Sequence, residues 1–221
     1  MNDYNYGVFA QEKTARASLI NQGFDFRQVS LDQPIPEDIT IIVLADMRTK
    51  MTPEQEKNLD DYIARGGNML IAGEARRQAF MNPILEKFGV SLLPGRLVCP
   101  SANWEQDLVA ARLTDPAVRF SFHFASMRIY NQRATMPSAA GLDISNAREK
   151  GFEPVVLMVA DTAKRPQMWS EVETTNFVDD TAKLNPAVGE KLLQDVPMMV
   201  ALYRKMGDKE QRIMVLGDAD C

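Results

Sequence analysis

Two apolar runs in the first third of the chain stand out from their polar surroundings. The first, Ile39 to Ala45, is nearly continuous and rich in β-branched residues, and the second extends from Asn68 to Ala72. An unbroken apolar run of this kind is typical of a parallel strand that is buried on both faces. We therefore expect a strand at each run, and we expect the first strand to be central in its sheet.

A helix is predicted between these two strands. Thr52 takes the N-cap position, Pro53 takes the first helical position, and Gln55 completes a capping box that satisfies the free amides of the first turn. Gly66 and Gly67 end the helix. Strand, helix and strand in succession predict a βαβ unit with two parallel strands.

Weaker patterns predict the remaining elements. Further strands are expected at Asn5 to Ala10, Asp25 to Leu31, Phe152 to Ala160, Pro197 to Tyr203 and Arg212 to Leu216. Further helices are expected at Glu12 to Gln22 and at Pro83 to Phe88, the second capped by Asn82 and ended by Gly89. The last two strands form a hairpin around Met206 to Lys209. An apolar alternation from Phe120 to Phe124 favours a strand, within a segment, 99–150, that we expect to be an insertion or a subdomain. The polar stretch from Asp161 to Leu184 is predicted to be a long loop.

Length and composition are those of a globular domain. With 221 residues, 45% of them hydrophobic and 25% charged, the chain is expected to form a single α/β domain over residues 1–221. A net charge of -5 without a run of lysine or arginine argues against nucleic acid as a partner. Every apolar stretch is far shorter than the roughly 20 residues that cross a bilayer. Met1 to Ala10 lacks the pattern of a signal peptide, so we expect a soluble domain whose export is encoded elsewhere.

Cysteine and histidine are too sparse to suggest a catalytic pair. Cys99 and Cys221 lie in no CxxC motif and no Cys/His cluster, and structural roles suit both. His123 lies between Phe122 and Phe124, which favours a strand histidine with one satisfied nitrogen over a catalytic base. We therefore expect no enzyme activity and no cofactor.

Charged side chains follow three of the predicted strands at their carboxyl ends, where open parallel sheets bind ligands. These residues are Asp46, Arg48, Glu74, Arg76, Arg77, Asp218 and Asp220. One interpretation is a polar crevice whose carboxylates bind a hydroxylated ligand or a cation, while the arginines orient an anionic group. The other is that these charges cap helices and neutralise one another without any ligand. No loop has the fixed spacing of a metal site, so we expect no bound metal.

The stretch from Ile39 to Gly73 resembles the gliding-motility-associated family of ABC transporter auxiliary proteins, called GldG-like. Shorter matches support the resemblance at Arg16 to Phe26, Asn82 to Leu93 and Arg212 to Asp220. It implies a flavodoxin-like or class I glutamine amidotransferase-like α/β domain, with a mostly parallel sheet and helices on both faces. It also implies a fragment of a larger membrane protein, held at the extracytoplasmic (periplasmic) face of the cytoplasmic membrane by transmembrane helices outside this chain.

The same resemblance bears on activity. Amidotransferases of this fold carry a nucleophilic cysteine at a sharp strand-to-helix turn. The comparable turn here, Gly73 to Arg77, contains no cysteine, serine or threonine. The resemblance thus implies a non-catalytic auxiliary subunit of an ABC-2 type transporter, which works with permease and ATPase subunits and binds a partner protein or a small polar ligand at the crevice. The alternative is a metal-dependent hydrolase that uses the strand-end carboxylates.

Overall fold

The computed structural model describes residues 20–101, 104–163 and 167–220, so the strand predicted at Asn5 to Ala10 and most of the helix predicted at Glu12 to Gln22 lie outside the described residues. The helices are α1 (Pro53–Ala64), α2 (Gln78–Leu85), α3 (Asp115–Val118) and α4 (Phe122–Ile129), with 3-10 turns at Ile20–Gln22, Glu86–Phe88 and Pro186–Val188. The strands are β1 (Ile41–Ala45), β2 (Asn68–Ala72), β3 (Ser91–Leu92), β4 (Arg96–Val98), β5 (Leu108–Leu113), β6 (Ala134–Pro137), β7 (Leu142–Asp143), β8 (Glu153–Ala160), β9 (Trp169–Glu171), β10 (Pro197–Met206) and β11 (Lys209–Leu216).

Seven strands of the described residues form one main sheet, in the order β1, β2, β11, β10, β8, β5 and β6. β1, β2 and β11 are parallel neighbours. From β11 onward each strand is antiparallel to the next. The α/β class agrees with the expectation, but the prediction of a mostly parallel sheet is wrong, because hairpin β10–β11 replaces a second helical crossover.

β1 is an edge strand of the main sheet rather than the predicted central strand. Ile41 is 51% exposed and Val43 is 37% exposed, whereas Ile42 and Leu44 pack against the hydrophobic core. Burial on both faces is therefore wrong for this strand, and so are helices on both faces here, because no described helix covers the face that carries Ile41 and Val43. β-branched residues favour a strand without determining its place in a sheet.

The βαβ unit formed by β1, α1 and β2 is confirmed. The Gln55 backbone amide donates to Oγ1 of Thr52 at 3.2 Å, and the Thr52 amide donates to Oε1 of Gln55 at 2.9 Å, which completes the predicted capping box. The apolar side of α1 is buried through Leu59, Tyr62 and Ile63. Strong local signals at the helix start thus determine where this crossover begins.

A buried glutamine fastens the carboxyl end of α1 to β11. Nε2 of Gln211 donates to the carbonyl oxygens of Ile63 at 3.0 Å and Gly67 at 2.8 Å. Its Oε1 accepts a hydrogen bond from Nε of Arg204 at 2.7 Å. Because buried polar groups cost free energy unless they are paired, this arrangement holds β11 beside the crossover helix.

The helix predicted at Pro83 to Phe88 is longer than expected, since α2 begins at Gln78. Asn82, the predicted cap, instead bonds to β3, where its Oδ1 accepts from the Leu92 amide at 2.8 Å. Gly89 ends the following 3-10 turn with φ of 72°, as predicted. The predicted cap is wrong because a long-range partner competes for the asparagine side chain.

The strand predicted from Phe120 to Phe124 is wrong, because these residues lead into helix α4. Oγ of Ser121 accepts a hydrogen bond from the Phe124 amide at 3.1 Å, so Ser121 is the N-cap. His123 therefore lies exposed on a helix, not on a strand. Alternation over so few residues is compatible with either structure.

Most of the later predictions agree with the described structure. β8 and hairpin β10–β11 confirm the strands expected there. No strand forms between Asp25 and Leu31, although Val29 and Leu31 pack against the core. Segment 99–150 contributes β5 and β6 to the main sheet. No helix within residues 20–101, 104–163 and 167–220 has the length and apolarity that a membrane span requires.

Two hydrophobic cores lie on opposite sides of β10. Val200 and Leu202 belong to the core that packs on α1 and α2, whereas Met199 and Ala201 belong to the core beneath α3 and β5. Cys99 is buried within the second core, and Cys221 lies outside the described residues. β10 thus connects the two halves of the molecule.

Gly217, the residue that follows β11, lies in close contact with the backbone of a neighbouring segment. Its amide donates to the Met198 carbonyl at 2.9 Å, and its carbonyl accepts from the Ala140 amide at 2.8 Å. A Cβ atom at this position would lie 1.9 Å from the Ala140 carbonyl oxygen. A side chain at residue 217 would therefore push the end of β11 away from its neighbours.

We expect Gly217→Ala to lower the free energy of unfolding by about 3 kcal/mol, because overpacking forces the backbone to shift. Gly207→Ala is the control, since the β10–β11 turn leaves open space around Gly207 and only its positive φ of 63° is penalised, at about 1 kcal/mol. Urea denaturation of the two variants measures the difference. Equal losses would contradict the close approach at Gly217.

Candidate functional site

The carboxyl ends of β1, β2 and β11 meet at one edge of the main sheet because these strands are parallel neighbours. The Asp46 amide donates to the Ala72 carbonyl at 3.1 Å, and the Gly73 amide donates to the Leu216 carbonyl at 2.8 Å. These bonds continue the pairing one residue past each strand.

Six of the seven predicted site residues lie at this edge, and we call them the strand-end cluster: Asp46, Arg48, Glu74, Arg77, Asp218 and Asp220.

Three carboxylates of the cluster come together. One oxygen from each of Glu74, Asp218 and Asp220 lies within 4.8 Å of the others. Asp218 is fully buried, Glu74 is half-buried and Asp220 is exposed, so the group opens from the protein interior toward solvent. The Asp220 amide donates to Oδ1 of Asp218 at 2.8 Å, which fixes the turn between the two aspartates.

Burial changes the protonation of two of these acids. It raises the pKa of Asp218 to about 7, and the charge of Asp220 adds to the shift. It also raises the pKa of Glu74 to about 7, with further contributions from Asp218 and Asp220. Like charges that lie close together in a poorly solvated place favour the neutral form. Near neutral pH, Glu74 and Asp218 therefore bind protons that ordinary carboxylates would release.

Asp46 is compensated differently, by two arginines. Its carboxylate accepts from Nε of Arg48 at 2.8 Å and from Nε of Arg77 at 3.0 Å. The Asp46 side chain is 4% exposed, and its backbone has a positive φ of 39°. A buried carboxylate is costly unless it is paired and hydrogen-bonded. The expected neutralisation of charges at the rim therefore describes Asp46, but it does not describe Glu74 and Asp218.

Arg76 is the predicted site residue that the structure does not bring into the cluster. Its backbone has a positive φ of 64°, and its Nη2 donates to the carbonyl oxygen of Thr174. The guanidinium carbon lies 5.9 Å from the centre of the Phe177 ring. Arg76 thus fastens the long loop between β9 and β10 to the end of β2.

Two buried glutamates, Glu171 at the end of β9 and Glu190 in that loop, were not predicted from the sequence. The carboxylate of Glu171 accepts from Nε1 of Trp169 at 3.0 Å and from the Thr174 amide at 2.9 Å. Glu190 accepts from the amides of Val172 at 3.0 Å and Asn185 at 2.8 Å. The predicted loop, Asp161 to Leu184, includes Glu171 but not Glu190, and the partners of both residues are set by the fold.

An open cavity of about 540 Å³ lies beside the first of these glutamates, separate from the strand-end cluster. Its lining combines acidic, hydroxyl and lysine side chains: Glu171, Glu173, Thr174, Asp179, Asp180, Thr181 and Lys183. Glu171 is already held by backbone amides and an indole, so its carboxylate serves to shape the loop.

The strand-end cluster offers two kinds of recognition side by side. Protonated or charged carboxyls on Glu74, Asp218 and Asp220 can donate to or accept from hydroxyl and amine groups, or bind a hard cation. Arg48 and Arg77 present guanidinium groups that suit an anion. The turn from Gly73 to Arg77 provides no hydroxyl or thiol nucleophile.

We expect Asp218→Asn to change how stability depends on pH. The raised pKa of Asp218 means that its protonated form stabilises the folded state fully below about pH 4, and that this contribution is lost as pH rises through about 7. Asparagine imitates the neutral carboxyl at every pH, so the variant should match the wild type near pH 4.5 and exceed it near pH 8 by about 2–4 kcal/mol.

Urea denaturation at both pH values, with a chelator present, measures this difference. Asp208→Asn, in the exposed hairpin turn, is the matched control and should follow the wild type at both pH values. A difference between Asp218→Asn and the wild type that is the same at both pH values would contradict the protonated state.

The solved structures to which the chain is similar include the following three. The chain matches the N-terminal domain of mmIFT52 with 16% identity and a TM-score of 0.49, over 81% of this chain and 65% of that chain. It matches the cytoplasmic protein STM3548 from Salmonella typhimurium with 14% identity and a TM-score of 0.43, over 85% and 66% of the two chains. A ThuA-like protein from Bacteroides uniformis matches with 11% identity and a TM-score of 0.45, over 96% and 76%. The chain thus spans just under two thirds of the first two structures.

Comparison of sequences gives a family. No curated protein matches the chain. The family model of an ABC-type uncharacterized transport system, which describes auxiliary transport proteins, matches residues 4–221. That match covers nearly the whole chain, so the protein belongs to this family of ABC transport auxiliary proteins.

Proposed function

We propose that the chain is a non-catalytic, extracytoplasmic domain of an ABC-2 type transporter auxiliary subunit, and that it binds a partner protein or a small polar ligand at the strand-end cluster. The family match over residues 4–221 supports the role in transport. The observation that carries the binding proposal is the convergence of Glu74, Asp218 and Asp220 within 4.8 Å. It occurs beside Asp46, which two arginines already neutralise.

The turn after β2 supports a non-catalytic role. Covalent catalysis at such a turn needs an activated hydroxyl or thiol group, and Gly73 to Arg77 contains neither. Membership of a family of auxiliary transport proteins suggests the same conclusion. The strand-end cluster then serves recognition rather than bond cleavage.

The chemistry of the cluster indicates the class of ligand. The side chains of Arg48 and Arg77 are 35% and 31% exposed, whereas that of Asp46 is 4% exposed. The arginines therefore face solvent on one side of a buried carboxylate, where a guanidinium group binds a carboxylate or phosphate by forked hydrogen bonds. A ligand or partner segment with an anionic group toward these arginines, and hydroxyl or amine groups toward Glu74 and Asp220, suits this surface.

The proposed setting is a gliding-motility-type transport system. Transmembrane helices outside this chain would hold the domain at the periplasmic face, where it would contact the permease and act with the ATPase subunit. Family membership supports association with transporter components. The strand-end cluster contains charges of both signs. Recognition there would increase the specificity of such an association more than its affinity.

We expect the variants Glu74→Gln and Arg77→Ala, introduced into the full-length protein, to impair a transport-linked phenotype in a deletion strain. The reason is that each variant removes a group that faces the proposed ligand or partner. Co-purification with the permease and ATPase, measured in parallel, distinguishes binding of a partner protein from binding of a small ligand. Its loss indicates a partner protein, and its retention with an impaired phenotype indicates a small ligand.

The control is Arg148→Ala, which breaks an exposed ion pair of 2.6 Å with Glu153 at the far end of β8. This variant should complement the deletion fully. Full complementation and full co-purification by both strand-end variants would contradict the binding proposal.

A metal-dependent hydrolase is the second candidate, and the close approach of three carboxylate oxygens favours it. The raised pKa values of Glu74 and Asp218 oppose it, because a cation must displace the bound protons.

A thermal-shift experiment separates the two candidates, since a ligand of the folded state alone raises the melting temperature. Under the leading proposal, Mg²⁺, Mn²⁺ or Ca²⁺ at millimolar concentration leaves the melting temperature of the wild type unchanged. A rise of several degrees that Asp218→Asn abolishes would favour the hydrolase instead.

A further inference from the structure

Helix α4 presents an apolar outer side that its own fold does not use. Its inner side carries Phe124 and Met127, which pack against the second core. Phe122 and Ile129 are seven residues apart and so lie on the same side of the helix, where they are 90% and 77% exposed.

Two more aromatic side chains flank this outer side. Phe120, just before the N-cap, is 46% exposed, and Tyr130, just after the last turn, is 74% exposed. We call Phe120, Phe122, Ile129 and Tyr130 the apolar tip. Single exposed apolar residues are ordinary on protein surfaces, but a group of four around one short helix indicates an interaction surface.

Arg119 adds a positive charge beside the apolar tip, although the whole chain carries a net charge of -5. No aspartate or glutamate occurs between Asp115 and Asp143, whereas Arg119, Arg128 and Arg133 all lie in that interval. Arg128 and Arg133 form ion pairs with Asp115 at 2.7 Å and with Asp161 at 2.5 Å. Arg119 is exposed beside the tip.

This combination suits one kind of partner. Aromatic rings with aliphatic neighbours partition into the interface of a bilayer, and arginines beside them attract anionic headgroups. An apolar segment of a protein would be matched by the four apolar side chains alone and would gain nothing from the arginine. Charge complementarity therefore favours an anionic lipid surface.

The location of α4 keeps such a contact away from the strand-end cluster. α3 and α4 follow the carboxyl end of β5, with β8 and β10 between β5 and β11. Three successive antiparallel pairings make β5 run opposite to β11. The register aligns Leu113, at the end of β5, with Leu216, at the end of β11, so the start of α3 is separated from Asp218 across the sheet by β10 and β8.

We propose that the apolar tip of α4 docks on the surface of a membrane that contains anionic lipid, with Phe122 and Ile129 inserted at the headgroup level. This inference goes beyond the proposed function, since it concerns a different surface and a different partner.

Co-sedimentation with lipid vesicles tests the proposal. The wild-type chain should bind vesicles of phosphatidylcholine with about 30% phosphatidylglycerol more tightly than vesicles of phosphatidylcholine alone, and about 0.5 M salt should weaken the binding. The double variant Phe122→Ser/Ile129→Ser should lose at least fivefold in partitioning. Val178→Ser is the matched control, because Val178 is 91% exposed in the loop between β9 and β10, and it should bind like the wild type.

Three further measurements separate membrane docking from loss of the fold and from binding at the strand-end cluster. Circular dichroism should show that the double variant keeps the wild-type helix content, and Phe122→Trp should shift its emission to shorter wavelength when vesicles are added. Glu74→Gln should leave vesicle binding unchanged, so failure of this proposal is distinguishable from failure of the strand-end one.

Absence of vesicle binding, or equal binding by the double variant and the wild type, would overturn the proposal. So would sedimentation equilibrium that shows a dimer of the wild type that Phe122→Ser/Ile129→Ser abolishes, since the apolar tip would then be an interface between two copies. Equal binding to neutral and anionic vesicles would overturn the role of Arg119.

Discussion

The parallel pairing of β11 with β2 is the interaction on which the rest of the molecule depends. It aligns Ile213 to Leu216 with Met69 to Ala72, although the two segments are far apart along the chain. Gly217 makes the pairing compatible with its surroundings, because the Ala140 carbonyl oxygen would lie 1.9 Å from a Cβ atom at this position. The carboxylates that follow β2 and β11 are adjacent as a direct consequence.

The edge created by this pairing accommodates its acids in two ways. Asp46 lies between Arg48 and Arg77 and is compensated within the fold. Asp218 is instead buried, with the half-buried Glu74 beside it, and both hold protons near neutral pH. Stability alone would favour pairing each of these acids with arginines, as at Asp46, because carboxyls that lie beside one another in a poorly solvated place reduce stability. The second solution is typical of sites where recognition takes precedence over stability.

The local part of this fold could be predicted from the sequence, and the non-local part could not. Thr52 and Gln55 form their capping box within one turn, so the sequence around them is sufficient. The edge position of β1 depends on β11 entering the sheet on the other side of β2, which no local pattern encodes. At the strand-end cluster, the predicted ends of the strands were sufficient to show which acids lie at the same edge of the sheet. The diversion of Arg76 toward Thr174, and the burial of Glu171, depend on a loop whose path only the whole fold determines.

The central claim is that an auxiliary transport protein uses the edge formed by β1, β2 and β11 for recognition. Hydrogen–deuterium exchange of the full-length protein, alone and within the assembled transport complex, tests this claim most directly. We expect slower exchange in the complex for backbone amides at residues 46–48, 74–77 and 218–220, and unchanged exchange in the hairpin turn at Gly207 and Asp208. Unchanged exchange at those three segments, with protection elsewhere on the domain, would contradict it.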